Sequence, residues 1–190
     1  MKKHINTLLF FFIILNIAYF LFTRTKKEEQ ILDKVMSSNI IDIKDNTYIT
    51  NRYFLQENWK DSISLSIIVR NGPVLILRMP RVSCEECKFS ELENLKMLFS
   101  QYNIKSVCAV ITTGSPRELK MLTQSFSYNY LKVGSLQNEL INIQAENHKR
   151  PYYFVLDSNL RASNFFFPDM RNKRMTVAYF ERIIKMVFQK

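Results

Sequence analysis

At 190 residues, without internal repeats, the chain suits one domain, and a 47% hydrophobic content with 15 phenylalanines excludes general disorder. The net charge of +10 falls to +5 (22 basic against 17 acidic residues) from Glu28 onward, because Lys2, Lys3, Arg24, Lys26 and Lys27 precede the first acidic residue. The remainder is scattered and forms no basic face with interleaved aromatics, which argues against a nucleic-acid partner.

The flanked segment is Ile5 to Phe22, INTLLFFFIILNIAYFLF. Eighteen residues at a helical rise cover about 27 Å, close to the hydrocarbon thickness of a bilayer. Tyr19, Phe20, Leu21 and Phe22 fill the last turn where a cleavable signal peptide needs small residues, so the segment reads as an uncleaved anchor over residues 5–23. A removed signal peptide and a buried core helix are the alternatives. With Lys2 and Lys3 leading, residues 1–4 are expected in the cytoplasm and everything after Arg24 outside it. The protein is then a single-pass protein of the cell (inner) membrane with an extracytoplasmic, periplasmic C-terminal domain. Residues 24–61 form a stalk and extension: Glu28 to Met36 has helical spacing, and Ile40 to Thr50 alternates as short half-buried strands do. Trp59 reads as core or rim packing, and Ser64 to Arg70 as a strand or the end of a helix.

Asn71-Gly72-Pro73 breaks the chain before the most informative stretch. Val74 to Leu77 suits a buried strand; a short loop then leads to Cys84-Glu85-Glu86-Cys87 and a segment with Phe89, Leu92, Leu95 and Phe99 at helical spacing. This predicts a helix with both cysteines in its first turn, where free N–H groups and the helix dipole favour a thiolate. Three residues apart, the second sulfur shares the helix face of the first and can resolve a mixed disulfide. In an oxidising compartment such a pair rests as a disulfide.

Further on, Lys105 to Thr112 predicts an apolar strand, and Ser115-Pro-Arg-Glu118 a capping box opening a helix that carries Leu119, Leu122 and Phe126 inward. Tyr130 to Val133 suits a short strand and Leu136 to Ala145 a helix. Pro151 to Leu156 predicts a strand, an Asp157-Ser-Asn turn and a partner strand over Ala162 to Phe167, and Val177, Phe180, Ile184 and Val187 mark a terminal helix. Strands separated by helices, ending in a hairpin and a last helix, indicate an α/β sheet covered on both faces.

In this order the elements resemble the thioredoxin fold, a central mixed sheet flanked by helices. In particular they are similar to the membrane-anchored, TlpA-like branch of thiol-disulfide oxidoreductases, over residues 62–190. The resemblance implies that Cys84 attacks and Cys87 resolves. It implies that Pro151 matches the proline that is cis in the family and lies opposite the cysteines, and that Arg150, Ser83 and Arg81 border the substrate groove. It also implies protein thiols or disulfides as partners and a membrane or thioredoxin-type electron donor. Departures are clear: the family's Trp-Cys is here Ser83-Cys84, and Glu85-Glu86 stand where non-acidic residues are usual. Two carboxylates beside a developing thiolate disfavour it, although they help the helix; Arg81 and Arg150 would offset this if both approach the sulfur. The balance points to a reductase or a weakly active pair.

Other readings stay open. A Cys-x-x-Cys is also half a zinc site, but no second pair follows, only Cys108 in an apolar strand and His148 in a loop, so no metal is expected. Three glycines leave no phosphate-cradling loop, and His4 and His148 give little for Cys-His catalysis, so no cofactor is expected. The Phe165-Phe166-Phe167 run suggests strand packing with one outward face available to a partner. A thiol-disulfide oxidoreductase and a redox-inactive thioredoxin-fold binding module both accommodate the sequence; a peroxidase on the same fold lacks its Pro-x-x-x-Thr-x-x-Cys context.

Overall fold

The computed structural model describes residues 12–27, 30, 47–50, 53–55, 62–81, 84–102, 107–111, 117, 120–121, 131–136, 140 and 143–188. The chain divides into two units, Met1–Ser38 and Asn39–Lys190. In the first, residues 12–27 form a helix, α1, all of whose side chains are exposed. Among the described residues no helix is long and apolar enough to cross a membrane; α1 covers the later part of the expected span, whose first residues lie outside the described set.

The second unit is built on a mixed sheet of eight strands in the order β1-β8-β7-β4-β5-β6-β2-β3. These are β1 Thr47–Tyr48, β2 Tyr53–Leu55, β3 Ser62–Ser64, β4 Val74–Met79, β5 Val107–Ile111, β6 Leu131–Ser135, β7 Tyr152–Leu156 and β8 Arg161–Phe166. Two of them, β1 and β2, precede Ser62. The helices are α2 Leu65–Ile68, prolonged by a 3-10 turn to Asn71; α3 Glu85–Tyr102; and α4 Lys173–Ile183, which continues into a π-helical turn to Phe188. Of the helix expected after Ser115, Arg117, Lys120 and Met121 are helical and the rest lies outside the described residues, as does Trp59.

Gly72, at φ 128°, makes the break that releases β4, a conformation side-chain-bearing residues rarely adopt. β4 runs parallel to β5 (Ile76 opposite Cys108) and antiparallel to β7 (Ile76 opposite Phe154), and all six of its residues are buried. A strand buried on both faces reads as a continuous apolar run, which is why it was visible in the sequence. Alternation splits its side chains between two cores. Val74 and Ile76 join Tyr152, Phe154, Phe165 and Phe167 beneath α2 and the connection carrying Leu136, Leu140 and Ile143. On the other face Tyr153 packs edge-on to Phe180 at 5.2 Å, and Phe166 stacks on Tyr179 at 4.5 Å, bringing α4 onto the sheet. Tyr153 also donates from its hydroxyl to the Glu91 carbonyl at 3.2 Å, tying α3 to the same face.

The β7–β8 hairpin turns on Asp157, whose Oδ1 accepts from the N–H groups of Asn159 and Arg161 at 2.8 and 2.9 Å. Past the turn, β8 carries a bulge: Val155 faces Ser163 while Tyr153 faces Phe166, with Asn164 at φ 55°. The extra residue changes the parity of the strand, so Ala162 and Phe165 face one core. As a result all three residues of the Phe165-Phe166-Phe167 run are buried, and the outward face expected for a partner does not exist.

Two further expectations are corrected. Phe89 is 46% exposed, and the inward stripe of α3 is Lys88, Glu91, Leu92, Asn94, Leu95 and Leu98. Each buried leucine contributes about 2 kcal/mol, enough to orient the helix and carry polar neighbours in with it. The helix expected over Leu136 to Ala145 is absent at the described positions. Leu136, Leu140 and Ile143 are non-helical, Ile143 is extended, and a 3-10 helix follows at Gln144–His148. Glu146 supplies the reason. Its Oε1 accepts from Arg78 Nε at 2.7 Å and Tyr152 Oη at 2.8 Å, and its Oε2 from Arg78 Nη2 at 3.3 Å. Arg78 and Glu146 are 0% and 3% exposed, so the connection must deliver a carboxylate under the sheet, and Asn138 and Asn142 offer little helical propensity against that demand.

Removing Glu146 leaves a buried guanidinium without its carboxylate. Glu146→Ala is expected to cost about 3–5 kcal/mol in urea unfolding, against about 1 kcal/mol for Tyr152→Phe. Equal, small losses for both would show that the ion pair does not hold the connection.

Candidate functional site

β4 ends at Met79, Pro80 is buried, and Arg81 is exposed in the turn that follows; Val82 and Ser83 lie outside the described residues. Cys84 then stands one position before α3 and caps it. Its carbonyl accepts from Lys88 N–H at 3.1 Å, and its Sγ accepts from Cys87 N–H at 3.0 Å. The expectation of both cysteines inside the first turn is therefore refined: Cys84 is the capping residue and only Cys87 is helical. The capping geometry arises because a small side chain with an acceptor atom precedes a run of good helix formers. Glu85 and Glu86, exposed, occupy the first two helical positions, where negative charge complements the helix dipole.

A disulfide joins Cys84 to Cys87, with Cα atoms 5.2 Å apart. Cys84 is exposed and Cys87 half-buried. Of the two sulfurs, that of Cys84 is therefore the one more open to a reagent arriving from outside.

The β4–β7 pairing ends at Arg78 opposite Tyr152. The chain leaving β4 toward Cys84 and the chain entering β7 through Arg150 and Pro151 therefore adjoin at one end of the sheet. Pro151 is buried. Arg150 is exposed but oriented, its guanidinium lying 4.8 Å from the centroid of the Phe167 ring, and His148 meets that ring edge-on at 4.8 Å.

One turn beyond Cys87 on α3 is Glu91, 1% exposed. Its Oε2 accepts from Tyr153 Oη at 2.8 Å and from Asn94 Nδ2 at 3.1 Å. Burial holds the Glu91 carboxyl above the usual carboxylate range, opposed by these two hydrogen bonds and by the charge of Lys173. Tyr153 is in turn pushed well above the ordinary phenol value, first by burial and then by the Glu91 charge. Among the described residues no three His, Cys, Asp or Glu side chains converge to hold a metal ion.

No protein-family model matches the sequence, and no curated protein matches it significantly. Among solved structures, the chain is similar to the thioredoxin domain of a thiol-disulfide oxidoreductase from Bacteroides vulgatus. The TM-score is 0.54 at 12% identity, over 76% of this chain and 99% of that one. It is also similar to a thiol:disulfide interchange protein from Bacteroides sp., with TM-score 0.55 and 14% identity over 78% and 93% of the two chains. The fold is thioredoxin-like.

Within the thioredoxin-like fold, Cys84, Cys87 and the Glu85-Glu86 insert occupy the end of the sheet where Arg150 and Pro151 enter β7. One implied feature does not carry over: the Arg150–Pro151 peptide is trans, and no described peptide is cis. Trans is the ordinary state of an X-Pro bond, and β7 accepts it because proline here precedes the ladder and needs no N–H. Arg150, expected to offset the two carboxylates if it approaches the sulfur, is held over the Phe167 ring. Glu91 escaped the sequence reading. Beside Glu93 it looks like part of a solvated acidic face, and only its four-residue spacing from Cys87 and from Leu95 signalled the inward side.

A carboxyl group whose folded pKa is raised binds protons more tightly in the folded state. Its contribution is therefore complete below the ordinary carboxylate range and is lost as pH rises toward the folded value. Urea titrations of the protein and of Glu91→Gln, compared from about pH 4.5 upward, should diverge, the wild type losing stability relative to the variant. Parallel curves would mean that Glu91 ionises without cost in the fold.

Proposed function

We propose that this protein is a membrane-tethered thiol-disulfide oxidoreductase that reduces or exchanges disulfides of extracytoplasmic proteins. The observation that carries the reading is the Cys84–Cys87 disulfide at the start of α3, with Cys84 exposed and its Sγ accepting the Cys87 N–H. When the pair is reduced, that N–H and the helix dipole both favour the Cys84 thiolate. The thiolate attacks one sulfur of a substrate disulfide; a mixed disulfide forms and the substrate's other sulfur leaves as a thiolate that takes up a proton. Cys87, deprotonated, then attacks Cys84 Sγ, re-forming the Cys84–Cys87 bond and releasing the second substrate thiol. The substrate gains two electrons and two protons, and a dithiol electron donor at the membrane must return the pair to the reduced form. Glu91, buried one helical turn beyond Cys87 with a raised affinity for protons, is suited to receive the Cys87 proton in the second step.

The tether is residues 5–23. In its described part, Phe12, Ile14, Leu15, Tyr19, Phe20 and Phe22 are all exposed around α1, a distribution unsuited to one-sided packing in water. Its polar groups turn back on their own helix: Asn16 Nδ2 donates to the Phe12 carbonyl at 2.8 Å and Thr23 Oγ1 to the Tyr19 carbonyl at 3.0 Å. Internal satisfaction of this kind is what a hydrocarbon surrounding demands. With residues 1–4 in the cytoplasm, the redox domain stands on the periplasmic side of the inner membrane.

Thiol-disulfide buffers, with the redox state of Cys84 and Cys87 read by alkylation and mass spectrometry, test the central claim. A reversible two-electron transition between roughly −270 and −120 mV is expected, and Cys87→Ser should accumulate a mixed disulfide through Cys84. A pair that cannot be reduced by any dithiol buffer would leave the redox-inactive binding module as the correct reading. Reduction followed by labelling of Cys84 with a membrane-impermeant thiol reagent on intact cells tests the location.

A further inference from the structure

The rim of the redox site is electrically divided. On the side of β7, His148, Lys149 and Arg150 are consecutive and exposed, and they lead directly into Pro151. Across the β4–β7 end of the sheet, Arg81 is exposed in the turn leading to Cys84. On the helix side stand Glu85 and Glu86. The one acidic residue of the described stretch 143–150, Glu146, is turned inward to Arg78 and contributes no negative charge to the surface. Among the described residues neither Arg81, Lys149 nor Arg150 has a carboxylate partner.

This basic side is also shaped. Arg150 is laid over the buried Phe167 ring, so its charge is presented in one place, and Lys149 takes the left-handed conformation at φ 51°, turning the chain between His148 and Arg150. Exposed cations with no carboxylate partner among the described residues, at the same end of the sheet as an exposed sulfur, act on whatever is brought to that sulfur. We propose that the site takes protein disulfides whose flanking residues are acidic, with Arg81, Lys149 and Arg150 receiving the substrate carboxylates and Glu85-Glu86 repelling acidic residues from the α3 side. The division fixes the direction in which a substrate segment crosses Cys84 as well as its composition. This inference rests on the redox function proposed above.

The test uses the whole 190-residue chain in detergent, reduced beforehand, and two disulfide peptides that differ only in carrying Asp or Lys beside each cysteine. A small neutral disulfide is the third substrate. In low salt the acidic peptide should react about three- to tenfold faster than the basic one, the difference shrinking toward unity at about 0.5 M salt. In the double variant Arg81→Glu with Lys149→Asp the order should reverse; aspartate is chosen because it tolerates the left-handed backbone at 149. Equal rates for the two peptides, with the neutral disulfide still reduced, would overturn the charge selection and leave the redox function standing. Failure to reduce even the neutral disulfide would overturn the redox reading and this inference with it. Should the double variant fail to fold, the peptide ratio and its salt dependence in the wild type decide the matter.

Discussion

A guanidinium at the centre of an apolar sheet is the constraint from which much of this structure follows. Arg78 sits in β4 with no access to water, and the alternative to a partner is a desolvation cost of several kcal/mol. Glu146 meets it in bidentate geometry and Tyr152 completes the carboxylate's hydrogen bonding. The two charges stand 68 positions apart in the chain, so the segment leading into β7 must bring Glu146 beneath the sheet. The residues immediately after Glu146 are thereby sent to the rim, where His148, Arg150 and Pro151 adjoin the cysteine loop. An internal electrostatic demand thus decides what the outer surface of the site is made of.

Helix α3 carries three polar groups at three depths. Its capping position holds an exposed sulfur, its first turn a half-buried one, and its second turn a buried carboxyl group whose proton affinity is raised by the core. Along a single helical face the groups run from water to core, an exposed sulfur outermost and a carboxyl group of raised proton affinity innermost. The low apolar content of that face is the counterpart of this arrangement: Lys88, Glu91 and Asn94 are carried inward beside Leu92, Leu95 and Leu98, and Glu91 is hydrogen-bonded where it arrives.

What could be read from the sequence was whatever rests on local rules. The apolar run of β4, the break at Gly72, the hairpin around Asp157 and the cysteine pair before a helix each declare themselves within a few residues, and together they suffice for the fold class. Long-range pairings did not declare themselves. Arg78 inside an apolar strand gave no sign of Glu146, and Leu136, Leu140 and Ile143 have a helical spacing although those three residues are not helical. The bulge at Ser163–Asn164, stabilised by a hydrogen bond from the Tyr179 hydroxyl to the Asn164 carbonyl, reverses strand parity in a way period-two reasoning cannot anticipate. Phe89 misled for a related reason: a large apolar residue marked the wrong face because polar residues with buried partners marked the right one.

The separation of the two cysteines bears on how redox change and folding are related. A bond between residues only three apart closes a very short ring, and by the chain-entropy argument it restrains the unfolded chain by about 2 kcal/mol, well below what a bridge between distant segments provides. The two cores and the Arg78–Glu146 pair lie elsewhere and owe nothing to it. Opening the bond therefore leaves the two cores and the buried ion pair in place, because the integrity of the scaffold rests on other parts of the molecule. A thiol pair arranged in this way can change between dithiol and disulfide without making survival of the fold depend on which state it is in.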